Sequence, residues 1–418
     1  VCLTGQLVST KNIREDFKMA EAVSRSRKAK SEGEKSAEFV PAASATTPHP
    51  REDLTKPPFT VQELRDCIPA HCFVKSNVTS FTYLGVDLAI AAVLLAIGAF
   101  LHFKADLPTW LAVIVWPIYA FVTGTVWTGI WVLAHECGHG AFSPQGWVND
   151  TVGWIFHSLL LVPYFSWKYS HASHHLHTNN MNKDEVHVPP TANEIELPWG
   201  TFKTAASIFK HLVLGWPAYL IKNVASNKGY KAHANVNHFS PWSPLFTEAQ
   251  RPYIVLSDIG VFLTVALLSF LSYRFGTPAV VALYLGPYMI VNMWLVLITK
   301  LQHTANDVPH YSDGEFTWVK GQLCTIDRSY GWIFNVALHH IQDTHVAHHL
   351  FSKMPHYHAE EATVHLKKKL GKYYRYRDAN VVTQTLEVFG QCVYVAEKNG
   401  VWWYPTIDDD HTHVWSPQ

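Results

Sequence analysis

Four long apolar segments limit what this chain can fold into. They cover residues 84–103, 110–134, 253–273 and 279–299. Each is nearly free of charge and has about 20 residues or more, the length an α-helix needs to cross the hydrocarbon core of a bilayer. Short connections at 104–109 and 274–278 join them in pairs. The sequence therefore predicts an all-α integral membrane protein with four transmembrane helices in two hairpins.

The distribution of charge predicts which side of the membrane each part faces. The first 79 residues carry 12 Lys and Arg, whereas each hairpin connection carries one. By the positive-inside rule, both termini and the central loop are expected in the cytosol. The whole chain has no formal net charge, so no general attraction to nucleic acid is expected.

Two shorter apolar stretches do not fit a membrane crossing. Residues 152–167 are too few, and residues 205–221 are interrupted by Lys210, His211 and Pro217. Both are predicted to be helices in the membrane interface. Inside the spans, Asp87 and Asp258 are expected to reach the interface or to find an interhelical partner.

Composition divides the chain into three parts. Residues 1–58 are rich in Lys, Arg, Glu, Ser, Ala and Pro, which predicts a disordered polar region without a cleavable signal or a transit peptide. Residues 59–404 form the predicted membrane domain, and 405–418 a C-terminal tail. The cysteines form no C-x-x-C pair, so Cys67 and Cys72 are interpreted as structural.

Histidines are concentrated in three clusters. They are HECGH at 135–139, HASHH at 171–175 and HVAHH at 345–349. With 26 histidines in 418 residues, chance alone gives an H-x-x-H-H about 0.1 times, yet this chain has two. Residues at i, i+3 and i+4 share a helix face, so each cluster directs several imidazoles one way. This pattern is typical of a metal site.

The clusters lie beyond the ends of the spans, not at mid-membrane. His135 follows the second span, and His303 lies one turn past the fourth. The matching depth makes His303 a candidate ligand, although a single histidine is more often structural. Inside the first cluster, Cys137 is interpreted as a packing residue, and Glu136 is predicted to hydrogen bond to a ligand histidine.

The number of histidines favours redox chemistry. Nine are too many for one metal ion, whereas zinc hydrolases typically use three protein ligands. Two irons with imidazole ligands would offer chemistry with oxygen, and a site at headgroup level suits an acyl chain as substrate. Attack on an unactivated methylene needs such an oxidant, because no side chain could perform it.

The sequence resembles the membrane-bound fatty acid desaturases, in particular the delta-12/omega-3 group that acts on oleate and linoleate. The resemblance runs from about Thr60 to Tyr404. Its strongest parts are AHECGH at 134–139, VPYFSWK at 162–168, WLVLITKLQH at 294–303 and DTHVAHHLF at 343–351. VPHY at 308–311, Trp318, Gly321, Asp327 and Arg328 also match the group.

This resemblance implies a complete reaction system. It implies two iron ions, O2 as co-substrate, and electrons from NADH through cytochrome b5 and its reductase. The substrate would be an acyl chain on a phospholipid in the endoplasmic reticulum membrane. The haem-binding signature His-Pro-Gly-Gly is absent, so the donor is expected to be a separate protein. The implied metal ligands are His135, His139, His171, His174, His175, His303, His345, His348 and His349.

Delta-12 desaturation of oleate is the favoured function, and several alternatives stay open. An omega-3 (delta-15) desaturase, an acetylenase or a hydroxylase could use the same scaffold. Ala134 argues modestly against the last two, because relatives with such products often have Gly there. His177 is interpreted as a surface or interface residue. A membrane metal transporter is a remote alternative, since transporters place their ligands near mid-membrane.

Overall fold

The secondary structure is mostly helical, as the apolar segments predict. A computed structural model describes residues 55–196, 200–227, 229–230 and 235–405. The predicted disordered region at 1–58 and the tail at 405–418 lie almost wholly outside these residues, so both stay predictions. The helices are α1 (Val61–Asp66), α2 (Asn77–Phe103), α3 (Thr109–His139), α4 (Gly146–Leu159), α5 (Tyr164–His177), α6 (Thr201–Lys222), α7 (Arg251–Phe275), α8 (Thr277–Val280), α9 (Gly286–His303), α10 (Trp318–Gln322), α11 (Trp332–Ala337), α12 (His345–Leu350), α13 (Ala359–Leu370) and α14 (Val381–Gln391).

Short elements connect these helices. A π-helical segment, Val281–Leu285, joins α8 to α9 in one continuous rod. Turns of 3₁₀-helix lie at Ala70–Phe73, Ala192–Glu194, Glu248–Gln250, His356–His358 and Gly371–Tyr373. Strands are β1 (His310–Tyr311), β2 (Asp327–Arg328), β3 (Tyr376–Arg377), β4 (Ala396–Lys398) and β5 (Val401–Trp403). They form a sheet of order β1-β5-β4 and a parallel β2-β3 pair, which apolar spacing did not predict.

Within the described residues, four helical rods are long and apolar enough to cross a membrane: 77–103, 109–139, 248–275 and 277–303. All four extend beyond the predicted spans, since hydropathy marks only the apolar part of a helix. The backbone hydrogen bonds continue until a cap ends them. Ser76 caps the start of α2 through the Thr79 amide, at 3.2 Å, and α3 is terminated by the following residue, Gly140, whose φ is +70°. The chain is thus a multi-pass membrane protein with two hairpins.

The second and fourth rods pack closely together. A Cβ added at Gly124 of α3 would come within 2.4 Å of the Pro287 carbonyl oxygen of α9. Farther along, the Trp294 indole donates a hydrogen bond of 3.0 Å to the Thr125 hydroxyl. Because both rods run toward the same side, this contact brings the ends that carry His135 and His303 to one level.

The two segments that were predicted to lie in the membrane interface are helical. Residues 152–167 divide between α4 and α5 at a break where Leu161 has a φ of 56°, and residues 205–221 fall inside α6. Neither is among the candidate membrane spans. Of the two acidic residues in the spans, Asp87 lies 2.7 Å from Nε2 of His339, which is in the turn after α11 rather than on a helix, and Asp258 Oδ1 is buried without a hydrogen-bond partner.

Candidate metal centre

Four helices bring all nine predicted ligands together. His135 and His139 come from the end of α3, and His303 comes from the end of α9. The other six come from α5 and α12. Seven of the nine imidazoles are buried, while His139 and His171 are half-buried. Histidine is seldom buried in such numbers without a ligand to satisfy it.

Five imidazoles form a first group around one point. His135, His139, His171, His175 and His348 each offer a ring nitrogen, and these nitrogens lie within 4.8 Å of one another. The Nε2 atoms of His135 and His171 are 3.0 Å apart, and those of His175 and His171 are 3.2 Å apart. Neighbouring nitrogens converging in this way have the arrangement of ligands around a shared cation.

A second group adjoins the first. His174, His303 and His349 each offer one ring nitrogen, and these three nitrogens also lie within 4.8 Å of one another. His345 Nε2 lies 3.1 Å from His303 Nε2. The rings of His175 and His349 stack with centroids 4.1 Å apart and so connect the groups. Two adjacent groups of imidazoles are consistent with a di-metal site.

Hydrogen bonds at Nδ1 orient several of these rings. His174 Nδ1 lies 2.7 Å from Asp184 Oδ1, and His345 Nδ1 lies 3.1 Å from the Ile341 carbonyl oxygen. His349 Nδ1 lies 3.1 Å from Gln322 Oε1. An imidazole that donates from Nδ1 leaves the lone pair of Nε2 for a metal. The Nε2 atoms of His348 and His349 are buried without a hydrogen-bond partner, as expected of ligand atoms.

Asp184 is a functional residue that the sequence did not reveal. Besides His174, its carboxylate accepts hydrogen bonds from the backbone amides of Asn179, Val186 and His187, at 2.9, 2.9 and 3.2 Å. It therefore orients a ring and fixes the loop after α5. A carboxylate ten residues after His174 was the available signal, but no local spacing rule connects the two.

Glu136 faces the centre without a direct hydrogen bond. Its Oε1 lies 3.4 Å from His135 Nδ1 and 3.7 Å from His348 Nδ1, and both carboxylate oxygens are buried without a hydrogen-bond partner. The predicted hydrogen bond is therefore not formed, and the carboxyl group instead makes longer contacts with two imidazoles. Cys137 packs in an apolar cluster with Leu133 and Phe142, in agreement with the packing role.

Asp327 and Arg328 hold the helices that present His303 and His345. Asp327 accepts a 2.7 Å hydrogen bond from the Val346 amide in the first turn of α12, and another from the Tyr374 hydroxyl. Arg328 donates to the carbonyls of Leu301 and Thr304, at 2.8 Å each. Burial raises the pKa of Asp327 to about 7 despite these donors.

Burial also keeps five of these imidazoles, those of His171, His175, His345, His348 and His349, neutral. It lowers the pKa of His345 to about 3. For His171, His175, His348 and His349, burial first and neighbouring histidines second lower the pKa well below 6.5. Neutral imidazole is the form that binds metal, so the site is prepared for cations at physiological pH.

An apolar cavity of about 370 Å³ opens onto the centre. His171, His303 and His345 line one part. The rest is mainly apolar, with α3, α6 and α9 contributing Trp131, Val132, Leu214, Ala218, Leu295 and Ile298. The nearby His177 takes no part, since its Nδ1 is 3.1 Å from the Ser173 carbonyl oxygen and its ring lies against Phe316. The cavity can hold a narrow apolar chain beside the imidazoles.

Comparisons with known proteins agree with this geometry. The family described as fatty acid desaturase matches residues 108–380. The Delta(12) fatty acid desaturase FAD2 of Calendula officinalis is 46% identical over 372 residues, which are 86% of this chain and 95% of that protein. The Delta(12) fatty acid desaturase of Mortierella alpina is 44% identical over 82% of this chain and 90% of its own length. The Glycine max omega-6 fatty acid desaturase, endoplasmic reticulum isozyme 1, is 43% identical over 85% and 93%.

Proposed function

This chain belongs to the fatty acid desaturase family, and we propose that it inserts a cis double bond at carbon 12 of an oleoyl chain on a phospholipid, giving a linoleoyl chain. The observation that carries the proposal is the buried nine-histidine centre open to an apolar cavity. The names of the relatives from Calendula, Mortierella and Glycine support the position of the double bond.

We propose two iron ions as the metals and all nine histidines as their ligands. The donor set fits, because imidazole suits iron and the centre contains neither the thiolates of a structural zinc site nor the three-ligand arrangement of a zinc hydrolase. His135, His139, His171, His175 and His348 would hold one iron, and His174, His303, His345 and His349 the other. Bound iron would supply the oxidising power, drawn from O2, that unactivated methylene groups require.

The protein's own part is positioning and exclusion of water. The cavity wall formed by Trp131, Leu295 and Ile298 would align the acyl chain so that its reacting carbons face the imidazoles. Asp184, Gln322 and the Ile341 carbonyl keep three rings in place from behind. A dry apolar wall also prevents side reactions of the oxidant with water.

The overall reaction needs an electron donor. One CH2–CH2 unit loses two hydrogens, and with two electrons and two protons O2 is reduced to two water molecules. We propose NADH as the source, acting through cytochrome b5 and its reductase. Lys367, Lys368 and Lys369 are exposed on α13, which lies beside α12 and its three ligand histidines. They offer a positively charged docking surface for an acidic donor.

Electron supply from cytochrome b5 requires that the centre lie on the side of the membrane where the donor docks. We propose that the centre and both termini face the cytosol and that the protein resides in the endoplasmic reticulum membrane. The excess of Lys and Arg before α2 supports this orientation, and the names of the Glycine and Brassica relatives support the membrane. We further propose residues 59–404 as the desaturase domain, between a disordered N-terminal region and a short tail.

Expression in a yeast that makes oleate but no polyunsaturated lipid tests the function. Gas chromatography with mass spectrometry should reveal an 18:2 product with a new double bond at carbon 12. His345→Ala should abolish it, whereas His177→Ala, a matched change outside the centre, should retain it. A hydroxylated, acetylenic or carbon-15 product would replace the proposal by one of those chemistries. Unchanged oleate with iron-loaded protein present would contradict it.

A further inference from the structure

A second group of metal-ligating side chains lies outside the nine-histidine centre. It consists of His71, Cys72, His358 and Glu361, and each offers one ligand atom within 4.8 Å of the others. His71 Nε2 is 2.9 Å from Glu361 Oε2 and 3.7 Å from Cys72 Sγ. The rings of His71 and His358 meet edge to face, with centroids 5.6 Å apart. We name these four residues the clamp site.

The clamp site joins two parts of the chain that are far apart in sequence. His71 and Cys72 lie on the 3₁₀ turn Ala70–Phe73, which precedes α2. His358 ends the 3₁₀ turn His356–His358, and Glu361 lies in the first turn of α13. The pair His71 and Glu361 is separated by 290 positions. A cation held here would therefore cross-link the segment before the first membrane helix to α13.

The donors have the chemistry of a structural zinc site. Structural zinc is bound tetrahedrally by four ligands drawn from Cys, His and carboxylates, at about 2.0–2.3 Å. In such a tetrahedron, neighbouring ligand atoms lie roughly 3.3–3.8 Å apart, as the bond lengths require. The His71–Cys72 separation of 3.7 Å already fits, and small side-chain rotations would bring in the other two. We propose that the clamp site binds one Zn²⁺ ion that stabilises the fold.

The His71–Glu361 ion pair alone does not account for this arrangement. Both side chains are about half exposed, at 58% and 47%, and exposed ion pairs contribute about 0–1 kcal/mol. Cys72, in contrast, is fully buried. Cys67, only five positions earlier, directs its Sγ at the Leu64 carbonyl oxygen, 3.1 Å away. The sequence-based interpretation of both cysteines as structural is therefore kept for Cys67, whereas the proposal gives Cys72 a ligand role.

A zinc ion at the clamp site would stabilise the position of α12, the helix that carries the third histidine cluster. The apolar core beneath the clamp site contains Cys72 and Leu64 together with Val346, Ala347 and Leu366. Val346 and Ala347 lie between His345 and His348 on α12. An ion that joins the 3₁₀ turn Ala70–Phe73 to α13 would hold the turn and α13 against α12. It would thereby limit the movement of the imidazoles on α12. The clamp ion is therefore structural and takes no part in the redox reaction.

Metal analysis of the purified full-length chain in lipid nanodiscs tests the proposal. After dialysis against zinc-buffered solution, the wild type should retain one zinc ion per chain beyond its iron, and Cys72→Ser and His358→Gln should lose it. Cys67→Ser and His365→Gln, neighbouring cysteine and histidine changes outside the clamp site, should keep it. Zinc X-ray absorption of the wild type should include one sulfur ligand, which the nine-histidine centre does not offer.

Further outcomes decide the proposal without reference to desaturase activity. If Cys72→Ser does not accumulate, His71→Gln serves instead, because an exposed side chain can be exchanged without opening the core. Zinc should raise the melting temperature of the wild type but not that of His71→Gln. No bound zinc in the wild type, zinc without a sulfur ligand, or equal zinc in Cys72→Ser and Cys67→Ser would each overturn the proposal.

Discussion

At the scale of single residues, the proposed metal centre depends on side chains outside the nine histidines. Asp184 and Gln322 each face the Nδ1 atom of a proposed ligand histidine, and a backbone carbonyl does the same for His345. Such partners fix the ring orientation and increase the basicity of the ligand. The histidine pattern therefore describes only the inner half of the site.

Replacing Asp184 tests this dependence. Asp184→Asn removes the charge behind His174 and weakens three backbone hydrogen bonds. We expect iron content or activity to fall about 10- to 100-fold, the usual effect of losing such a partner. Iron per chain and 18:2 formation are the measurements. Asp313→Asn is the control, since this nearby carboxylate forms an exposed ion pair with Lys183; equal losses in both variants would refute the role of Asp184.

At the scale of helices, the contact between α3 and α9 sets the level at which His135 and His303 meet. Gly124 lets the two helices approach, because any side chain there would collide with the Pro287 backbone and with Ile290. Gly138, inside the first cluster, gives the same freedom to Trp167, whose ring lies 2.6 Å from a Cβ added there. Gly124 and Gly138 therefore allow α3, which carries His135 and His139, to pack closely against its neighbours.

Gly124→Ala should therefore destabilise the protein. Overpacking of a tight contact costs about 1–3 kcal/mol, and the strain falls on backbone that cannot rotate away. Gly85→Ala on α2 is the matched control, because nothing lies within 4 Å of its added Cβ. Thermal unfolding in detergent should give a lower midpoint for Gly124→Ala only. A midpoint equal to that of Gly85→Ala would mean that the helices are not held in this contact.

At the scale of the whole molecule, the cavity and the centre act together. The cavity wall comes from α3, α6 and α9, while the imidazoles at its inner part also come from α5 and α12. Substitutions along α6 should therefore differ sharply in their effect on oleate conversion, according to whether the residue lines the cavity or faces away from it.

A larger side chain in the cavity should prevent substrate binding. Ala218 lines the cavity, and Ala218→Phe should reduce conversion of oleate strongly while leaving the iron content unchanged. Ile221→Phe, on the same helix but 58% exposed and outside the cavity, should convert oleate normally. Loss of iron in Ala218→Phe, or normal conversion by it, would show that the acyl chain binds elsewhere.

Five of the imidazoles also predict how stability depends on pH. The folded pKa values of His171, His175, His348 and His349 lie well below 6.5, and that of His345 is about 3. The unfolded chain therefore binds protons that the folded chain excludes as pH falls below about 6.5. The metal-free protein should lose stability from about pH 6.5 toward pH 3, which melting temperatures across this range would measure. His345→Gln should flatten the curve, and a constant melting temperature would contradict the prediction.

The sequence by itself determined the features that depend on local spacing. Apolar length predicts the four membrane helices, and the i, i+3, i+4 spacing predicts which imidazoles share a face. The single His303 was included among the candidate ligands because it lies at the same depth as His135. These rules succeed because helix geometry repeats every few residues, and because lipid leaves no other partner for the backbone. Helix ends were underestimated because polar turns continue a helix without any hydropathy signal.

Only the tertiary structure decided which distant residues meet. The pairs Asp184–His174 and Asp87–His339 and the four residues of the clamp site follow from packing. Asp87 and His339 are 252 positions apart, so no periodicity relates them. Side chains that meet across packed helices are chosen by the crossing geometry of the whole bundle, which no short window of sequence contains. The meeting of the nine histidines could therefore be predicted from the sequence, whereas the residues that orient their rings could not.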